Sequence, residues 1–300
     1  MKTFYDLNKV KRFDKAVVAL GVFDGVHLGH RRILKALVRK AKEIKGQSVV
    51  ITFWPHPQGK SSLYSLEHRL RLIEEMGVQN CIILLFNAKF SEISAADFIS
   101  DILVGKLNAR HIYIGENFRF GRRASGDSRL LKAFSRVHGF SVKAFKVVKA
   151  GKNPVSSTLI RGLISSGRIK QAEKLLGRRV SVLGTVIKGT ALGRILGFPT
   201  ANIDPHHEVI PAAGIYAVEV VFEGRSFFGL CYIGTRPTLK KKTKKINIEV
   251  HILDFCRNIY GKFLELRFIS LIRPDRKFPS LGALAEQIAR DIALARKILP

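Results

Sequence analysis

"GVFDGVHLGH" spans residues 21–30 and closes the apolar run "AVVALGVF" (16–23), which reads as a buried strand. After it comes "RRILKALVRKAKEI" (31–44), with apolar residues at 33, 34, 37, 38, 41 and 44 on one helical face. The ten residues therefore sit where a strand turns into a helix. In open α/β sheets ligands bind outside the carboxyl ends of the strands, and a helix N-terminus offers free N–H donors to a phosphate. Gly21, Gly25 and Gly29 allow the backbone to turn tightly against a ligand. His27 and His30 are three apart and fit on one side of a helical turn. Two imidazoles so placed suit phosphate oxygens and developing negative charge better than a metal, since no matched carboxylate or cysteine set stands beside them in sequence.

The surrounding pattern repeats strand and helix. "SVVITF" (48–53), "CIILLF" (81–86) and "HIYIG" (111–115) read as strands, with helices over "SLEHRLRLIEEMG" (65–77) and "SAADFISDILVGKL" (94–107), the second capped by Ser94. This rhythm predicts an α/β domain built on a parallel sheet with helices on both faces. After about residue 180 the pattern changes to short strands: "RVSVLGTVIKG" (179–189), "GIYAVEVVFEG" (214–224), "RSFFGLCYIG" (225–234), "INIEVHILDF" (246–255) and "FLELRFISLIR" (263–273). Only "SLGALAEQIARDIALARKIL" (280–299) is strongly helical there. An antiparallel β-barrel with a terminal helix is expected, giving domains over 1–180 and 181–300.

Composition bounds the function. Apolar residues make up 46% of the 300, enough for two cores. No apolar run approaches the ~18 residues a bilayer span needs, and no signal-peptide core precedes the first strand, so a cytoplasmic protein without membrane partners is expected. Cys81, Cys231 and Cys256 are far apart and lack CxxC spacing, which suits buried free thiols rather than a disulfide framework or zinc site. Lys and Arg number 52 against 23 Asp and Glu, a formal charge of +29. That favours anionic partners and implies weak, salt-sensitive binding to polyanions. The densest basic run, "LKKKTKK" (239–245), reads as a loop, and no nucleic-acid module is recognisable.

Further motifs extend the pattern. "TFWPHP" (52–57), "YIGENFRFG" (113–121), "SSTLIRGLISSG" (156–167), "GTALGRILGFPTAN" (189–202), "YIGTRPT" (232–238), "IEVHILDF" (248–255) and "KFPS" (277–280) follow in order. With "GVFDGVHLGH", which resembles the HxGH signature of adenylyl-transferring nucleotidyltransferases, this series resembles the prokaryotic bifunctional riboflavin kinase/FAD synthetases over nearly the whole chain. The resemblance implies a Rossmann-like nucleotidyltransferase domain, then a riboflavin kinase barrel. It implies ATP and Mg²⁺ as cofactors, and riboflavin, FMN and FAD as substrates and products. In the first domain His27 and His30 would hold the ATP phosphates at the transition state. Phe23, Asp24, Pro55, His56, Pro57 and Asn117 would bind ATP or flavin, and Ser156, Ser157, Thr158 and Arg161 would clamp triphosphate and pyrophosphate. Three hydroxyl residues before a helical run, with an arginine fork after them, suit that task independently.

In the second domain the resemblance implies that Gly189, Gly193, Arg194 and Gly197 wrap phosphates and that Thr200 and Asn202 ligate Mg²⁺. Glu249 would be the general base for the riboflavin 5′-hydroxyl. A primary alcohol needs such a base, whereas the phosphate of FMN is already an anionic nucleophile. The family carries an acidic residue where this chain has Trp54, its only tryptophan, which is expected in the flavin/ATP site. Two alternatives stay open at this point: a monofunctional riboflavin kinase with an impaired first domain, and a basic nucleic-acid-binding protein.

Overall fold

The computed structural model describes residues 1–57, 62–151, 153–236 and 245–299. Its N-terminal half contains β1 (Lys2–Phe4), β2 (Ala16–Leu20), β3 (Gln47–Trp54), β4 (Asn80–Leu85), β5 (Ala109–Gly115) and β6 (Ser141–Phe145). All six pair in parallel, in the order β1-β4-β3-β2-β5-β6. Every residue of β2 is buried, as a central strand covered on both faces requires. Ala16, Val18 and Leu20 join one core with Phe98, Ile99 and Leu103. On α1 (Leu28–Glu43), which packs on β2, β3 and β5, the stripe Ile33, Leu34, Leu37 and Ala41 is buried at helical spacing. The other α-helices of this half are α2 (Leu66–Glu74), α3 (Ala88–Ser91), α4 (Ala95–Asp97) and α5 (Ser128–His138), followed by a two-stranded ribbon of β7 (Lys149–Ala150) and β8 (Asn153–Pro154).

Local details differ from the sequence expectation. The first strand stops at Leu20, because Phe23 takes a left-handed conformation (φ 52°) and a tight turn covers Asp24–Val26 before α1 begins. Ser94 caps its helix as expected, accepting from Asp97 N at 3.1 Å and donating to Asp97 Oδ2 at 2.7 Å. Beyond α4, however, Phe98–Lys106 winds as a π-helix, closed by Leu107 N donating to Ile102 O at 3.0 Å.

The second half contributes α6 (Ser157–Ser165), α7 (Ile169–Leu176), α8 (Leu192–Ile195) and α9 (Leu281–Ile298) around a closed barrel. The barrel strands are β9 (Ser181–Ile187), β10 (Ala201–Asp204), β11 (Gly214–Phe222), β12 (Arg225–Arg236), β13 (Lys245–Ile252) and β14 (Phe263–Pro274). They close in the order β10-β13-β12-β11-β14-β9, with β10 antiparallel to both β13 and β9. Closure leaves no unpaired sheet edge. Ile248, Val250 and Ile252 are buried, while Asn247, Glu249 and His251 alternate with them on the opposite face. The α9 helix is anchored by a bidentate pair between Arg273 and buried Asp291, with Nη2–Oδ2 at 2.8 Å.

By internal packing the chain forms two units, Met1–Ser62 with Leu66–Ser157, and Leu63–Ser65 with Thr158–Pro300. All three cysteines are free; Cys81 and Cys231 are buried, but Cys256 is exposed, so the expectation of buried thiols fails at that position. Burial pushes the Cys81 thiol up to about 12 and the Cys231 thiol up as well, so both stay protonated. Of the basic run 239–245, residues 239–244 lie outside the described residues.

Candidate active sites

The chain runs from β2 to β3 and β4 on one side, then returns to β5 and β6 on the other. The order thus reverses between β2 and β5, and the crevice beyond their carboxyl ends is where a ligand should bind. A cavity of about 270 Å³ lies there, lined by Gly21–Asp24, His27, Gly29 and His30 after β2, by Gly115–Phe118 after β5, and by Phe145–Val148 after β6. The His27 and His30 rings are stacked, with centroids 3.7 Å apart and planes at 18°. Phe23 meets His30 edge-on at 5.2 Å. A Cβ at position 29 would stand 3.2 Å from His27 Cε1, so glycine there makes room for the imidazole. Gly25 sits at φ 80°, a conformation that side chains rarely adopt.

The motif "SSTLIR" divides between the two units. Ser156 and Ser157 pack with the first, where Ser157 Oγ donates to Asp24 O at 2.8 Å and lines the cavity. Thr158 and Arg161 belong to the second unit. Two carboxylates also stand on the cavity wall, Asp24 and Glu116; the latter accepts from Val147 N at 2.7 Å. Glu116 lies too far along the chain from the histidines for sequence spacing to place it.

A second cavity in the same unit, about 610 Å³, shares Val22, His56, Asn117 and Phe118 with the first. Its walls are aromatic: Phe53, Phe86, Phe90, Phe98, Phe118 and Phe120. Phe118 and Phe120 lie with planes at 18° and centroids 6.2 Å apart, and Phe53 and Phe118 at 28° and 6.4 Å. Sequence reasoning did not identify these phenylalanines. The one available signal is the alternation in "NFRF" (117–120), which puts Phe118 and Phe120 on one side of an extended segment. Pro57 lines this cavity, and Pro55 is exposed. Trp54 lines neither cavity.

In the second unit, "PTAN" (199–202) runs into β10, which pairs with β13 and sets Asn202 opposite Glu249. Thr200 Oγ1 donates to Glu249 Oε2 at 3.0 Å and Asn247 Nδ2 donates to Oε1 at 2.6 Å, so the carboxylate is held from both sides. Asn202 is buried, and a Cβ at position 189 would fall 2.0 Å from its Nδ2, so the loop backbone passes directly over the amide. A Cβ at 193 would fall 2.4 Å from Phe198 O, and Gly197 adopts φ 83°. Thr200 and Arg194 also line a cavity of about 500 Å³ walled by Val186, Ile252, Phe255 and Tyr260. Among the described residues no cluster of three His, Cys, Asp or Glu could hold a metal. Hard oxygen donors are nonetheless present. Thr200 spends its proton on Glu249 and keeps its lone pairs, and Asn202 offers a carbonyl oxygen in a cradle only glycine leaves open. Two neutral oxygens completed by phosphates and water suit Mg²⁺.

Comparison with known proteins matches each half of the chain to a family. A family model described as FAD synthetase matches residues 9–159, and one described as riboflavin kinase matches residues 176–299. The bifunctional riboflavin kinase/FMN adenylyltransferase of Buchnera aphidicola subsp. Schizaphis graminum is 35% identical, over 99% of this chain and 98% of its own. The protein of the same name from Haemophilus influenzae is 37% identical, over 93% and 92%. A Streptococcus pneumoniae crystal structure, described as that of a macrolide-efflux protein, superposes with a TM-score of 0.83 at 28% identity over 98% of both chains. Among the described residues of the present chain no helix is long and apolar enough to cross a membrane. With both family models matched in tandem and near full-length relatives above 30% identity, this chain belongs to the bifunctional riboflavin kinase/FMN adenylyltransferase family.

Proposed function

We propose that the protein phosphorylates riboflavin to FMN in its C-terminal domain and adenylylates FMN to FAD in its N-terminal domain, using ATP in both steps, with the division near residue 180. What supports this reading best is that one chain holds two sites of different chemistry. In the second unit Glu249 is oriented by two donors beside hydroxyl and amide oxygens. There it takes the proton from the riboflavin 5′-hydroxyl as that oxygen attacks the γ-phosphorus of ATP; the bond from the γ-phosphorus to the β,γ-bridging oxygen breaks, and ADP leaves. Mg²⁺ held by Thr200 and Asn202 would neutralise phosphate charge. Arg194 and the close-packed backbone at Gly189, Gly193 and Gly197 bind the polyphosphate.

In the first unit a phosphate oxygen of FMN attacks the α-phosphorus of ATP, the bond to the α,β-bridging oxygen breaks, and pyrophosphate leaves. The nucleophile is already an anion, so the residues need only position it and stabilise charge. His27 and His30 donate to the phosphates from the start of α1, with Ser156 and Ser157 as further phosphate donors. The aromatic cavity takes the isoalloxazine ring by stacking, and Asn117, on the wall shared by both cavities, orients the reacting phosphate. The test is to incubate the purified chain with Mg²⁺ and ATP plus either riboflavin or FMN and resolve the flavins by chromatography. FMN and FAD are expected, respectively. FMN formation without any FAD from supplied FMN would overturn the adenylylation half.

Gly189→Ala provides a narrower check of the kinase loop. The added carbon cannot fit 2.0 Å from Asn202 Nδ2, so the loop or the amide must shift. A misplaced phosphate loop is expected to lower riboflavin phosphorylation by about 10–100-fold, with FAD formation from FMN unchanged. Unchanged phosphorylation would show that Asn202 is not held by this loop.

A further inference from the structure

Arg69, on α2, is fully buried. Its Nη1 donates to Val22 O at 2.7 Å, to Thr52 Oγ1 at 3.2 Å and to Phe53 O at 3.4 Å. Thr52 Oγ1 donates to the same Val22 carbonyl at 2.8 Å. One carbonyl is therefore pinned by donors from two elements. Val22 lines both cavities of the first unit and immediately precedes Phe23, the left-handed residue that begins the turn to His27. The guanidinium carbon lies 5.4 Å from the centroid of the Trp54 ring. Among the described residues no carboxylate makes ion-pair contact with this guanidinium; buried Asp24 is the acidic group whose charge favours the protonated form against the effect of burial. Stability alone does not call for such a group, since an apolar side chain of similar length would fill the space without desolvating a charge. Cation–π attraction is strongest where the cation is desolvated, so Trp54 makes the buried charge tolerable without competing for its hydrogens.

We propose that Arg69 is a positioning residue for adenylyl transfer, clamping the Val22 carbonyl where the phosphate and aromatic cavities meet, with the Trp54 ring as the cation–π partner of its buried charge. The proposal rests on the adenylyltransferase reading given above. Losing the guanidinium leaves the Val22 carbonyl to Thr52 Oγ1 alone, which loosens the peptide between Val22 and Phe23 and with it the approach of the FMN phosphate to the α-phosphorus. Small misplacements of reacting groups lower turnover more than binding.

The test uses the full chain. Arg69→Met keeps length and removes charge and donors; Arg69→Lys keeps the charge and a single donor nitrogen in place of the planar fork. In FAD formation from FMN, Arg69→Met is expected to lower kcat by about 10–100-fold with KM for ATP changed less than about threefold, and Arg69→Lys to recover part of the loss. Riboflavin phosphorylation by the same preparations should not change, which controls for folding. Full kcat in Arg69→Met, a KM effect alone, or Arg69→Lys no better than Arg69→Met would each overturn the proposal. An independent arm uses the emission of Trp54, the sole tryptophan. Addition of Mg²⁺ and ATP should shift it in the unmodified protein and not in Arg69→Met. If the unmodified protein makes no FAD, the adenylyltransferase reading falls, while this arm still decides on the clamp: identical emission responses in both proteins would refute it.

Discussion

Glu249→Gln is expected to lower riboflavin phosphorylation by about 10²–10⁴-fold, the usual worth of a general base, while FAD formation from supplied FMN stays within about twofold. The replacement is nearly isosteric, so β13 and its pairing with β10 and β12 have no reason to change. One oxygen of the carboxylate becomes an NH₂ group, which turns the acceptor contact with either Thr200 or Asn247 into a donor facing a donor. The structure accommodates that: the Asn247 amide can rotate to present its oxygen, and the Thr200 hydroxyl can turn toward the retained carbonyl. What cannot be restored is the basic lone pair. The riboflavin hydroxyl is a weak nucleophile and must lose its proton during attack, whereas FMN brings an anionic phosphate to the other site. Measuring both activities on one preparation separates a lost base from a damaged protein. An equal fall in the two rates would exclude Glu249 as the base.

How far the sequence reveals this protein depends on whether a feature lies within one segment. The turn from β2 to α1 is local, and its glycines and histidines make it readable without tertiary knowledge. The same holds for Thr200, Asn202 and Glu249 as chemical types, since motif and strand alternation identify them. That Thr200 touches Glu249 is not local, because β10 is only four residues long and follows Pro199 and precedes Pro205, a stretch that reads as a loop. β1 is three residues long and escapes detection for the same reason. The aromatic cavity is the largest loss. Phe53, Phe86, Phe90, Phe98 and Phe120 come from separate segments, and each by itself reads as ordinary core. Arg69 is lost for a different reason: in "SLEHRLRLIEEMG" a charged residue on a helix reads as a solvated face, yet His68 and Arg69 are buried while Arg71 is exposed. Trp54, expected in the flavin/ATP site, lines neither cavity described above and has that arginine's guanidinium carbon 5.4 Å from its ring centroid.

The second large effect is on the other site. His27→Ala and His30→Ala are each expected to lower FAD formation from FMN by about 10²–10³-fold, the cost of removing a donor aimed at developing phosphate charge, and to leave riboflavin phosphorylation intact. The two losses should not multiply. With centroids 3.7 Å apart, each ring fixes the plane of the other, and Phe23 braces His30 from its edge. Removing one imidazole frees its neighbour to rotate out of the phosphate-binding geometry, so a single substitution already disables most of the pair. The double variant is therefore expected within about tenfold of the slower single variant, as for groups that act as one unit. Gly29→Ala gives a gentler perturbation of the same pair. Its Cβ would press on His27 Cε1 from 3.2 Å, tight enough to tilt the ring while leaving its chemistry unaltered. It should slow FAD formation less than His27→Ala does. The kinase rate is the internal reference throughout, because both histidines belong to the first unit and Glu249 to the second. Loss of riboflavin phosphorylation alongside FAD formation, in variants that remain folded by circular dichroism, would refute the separation of the two activities. Losses in the single variants that multiply fully in the double would refute the stacked pair as the working unit and leave two independent phosphate donors.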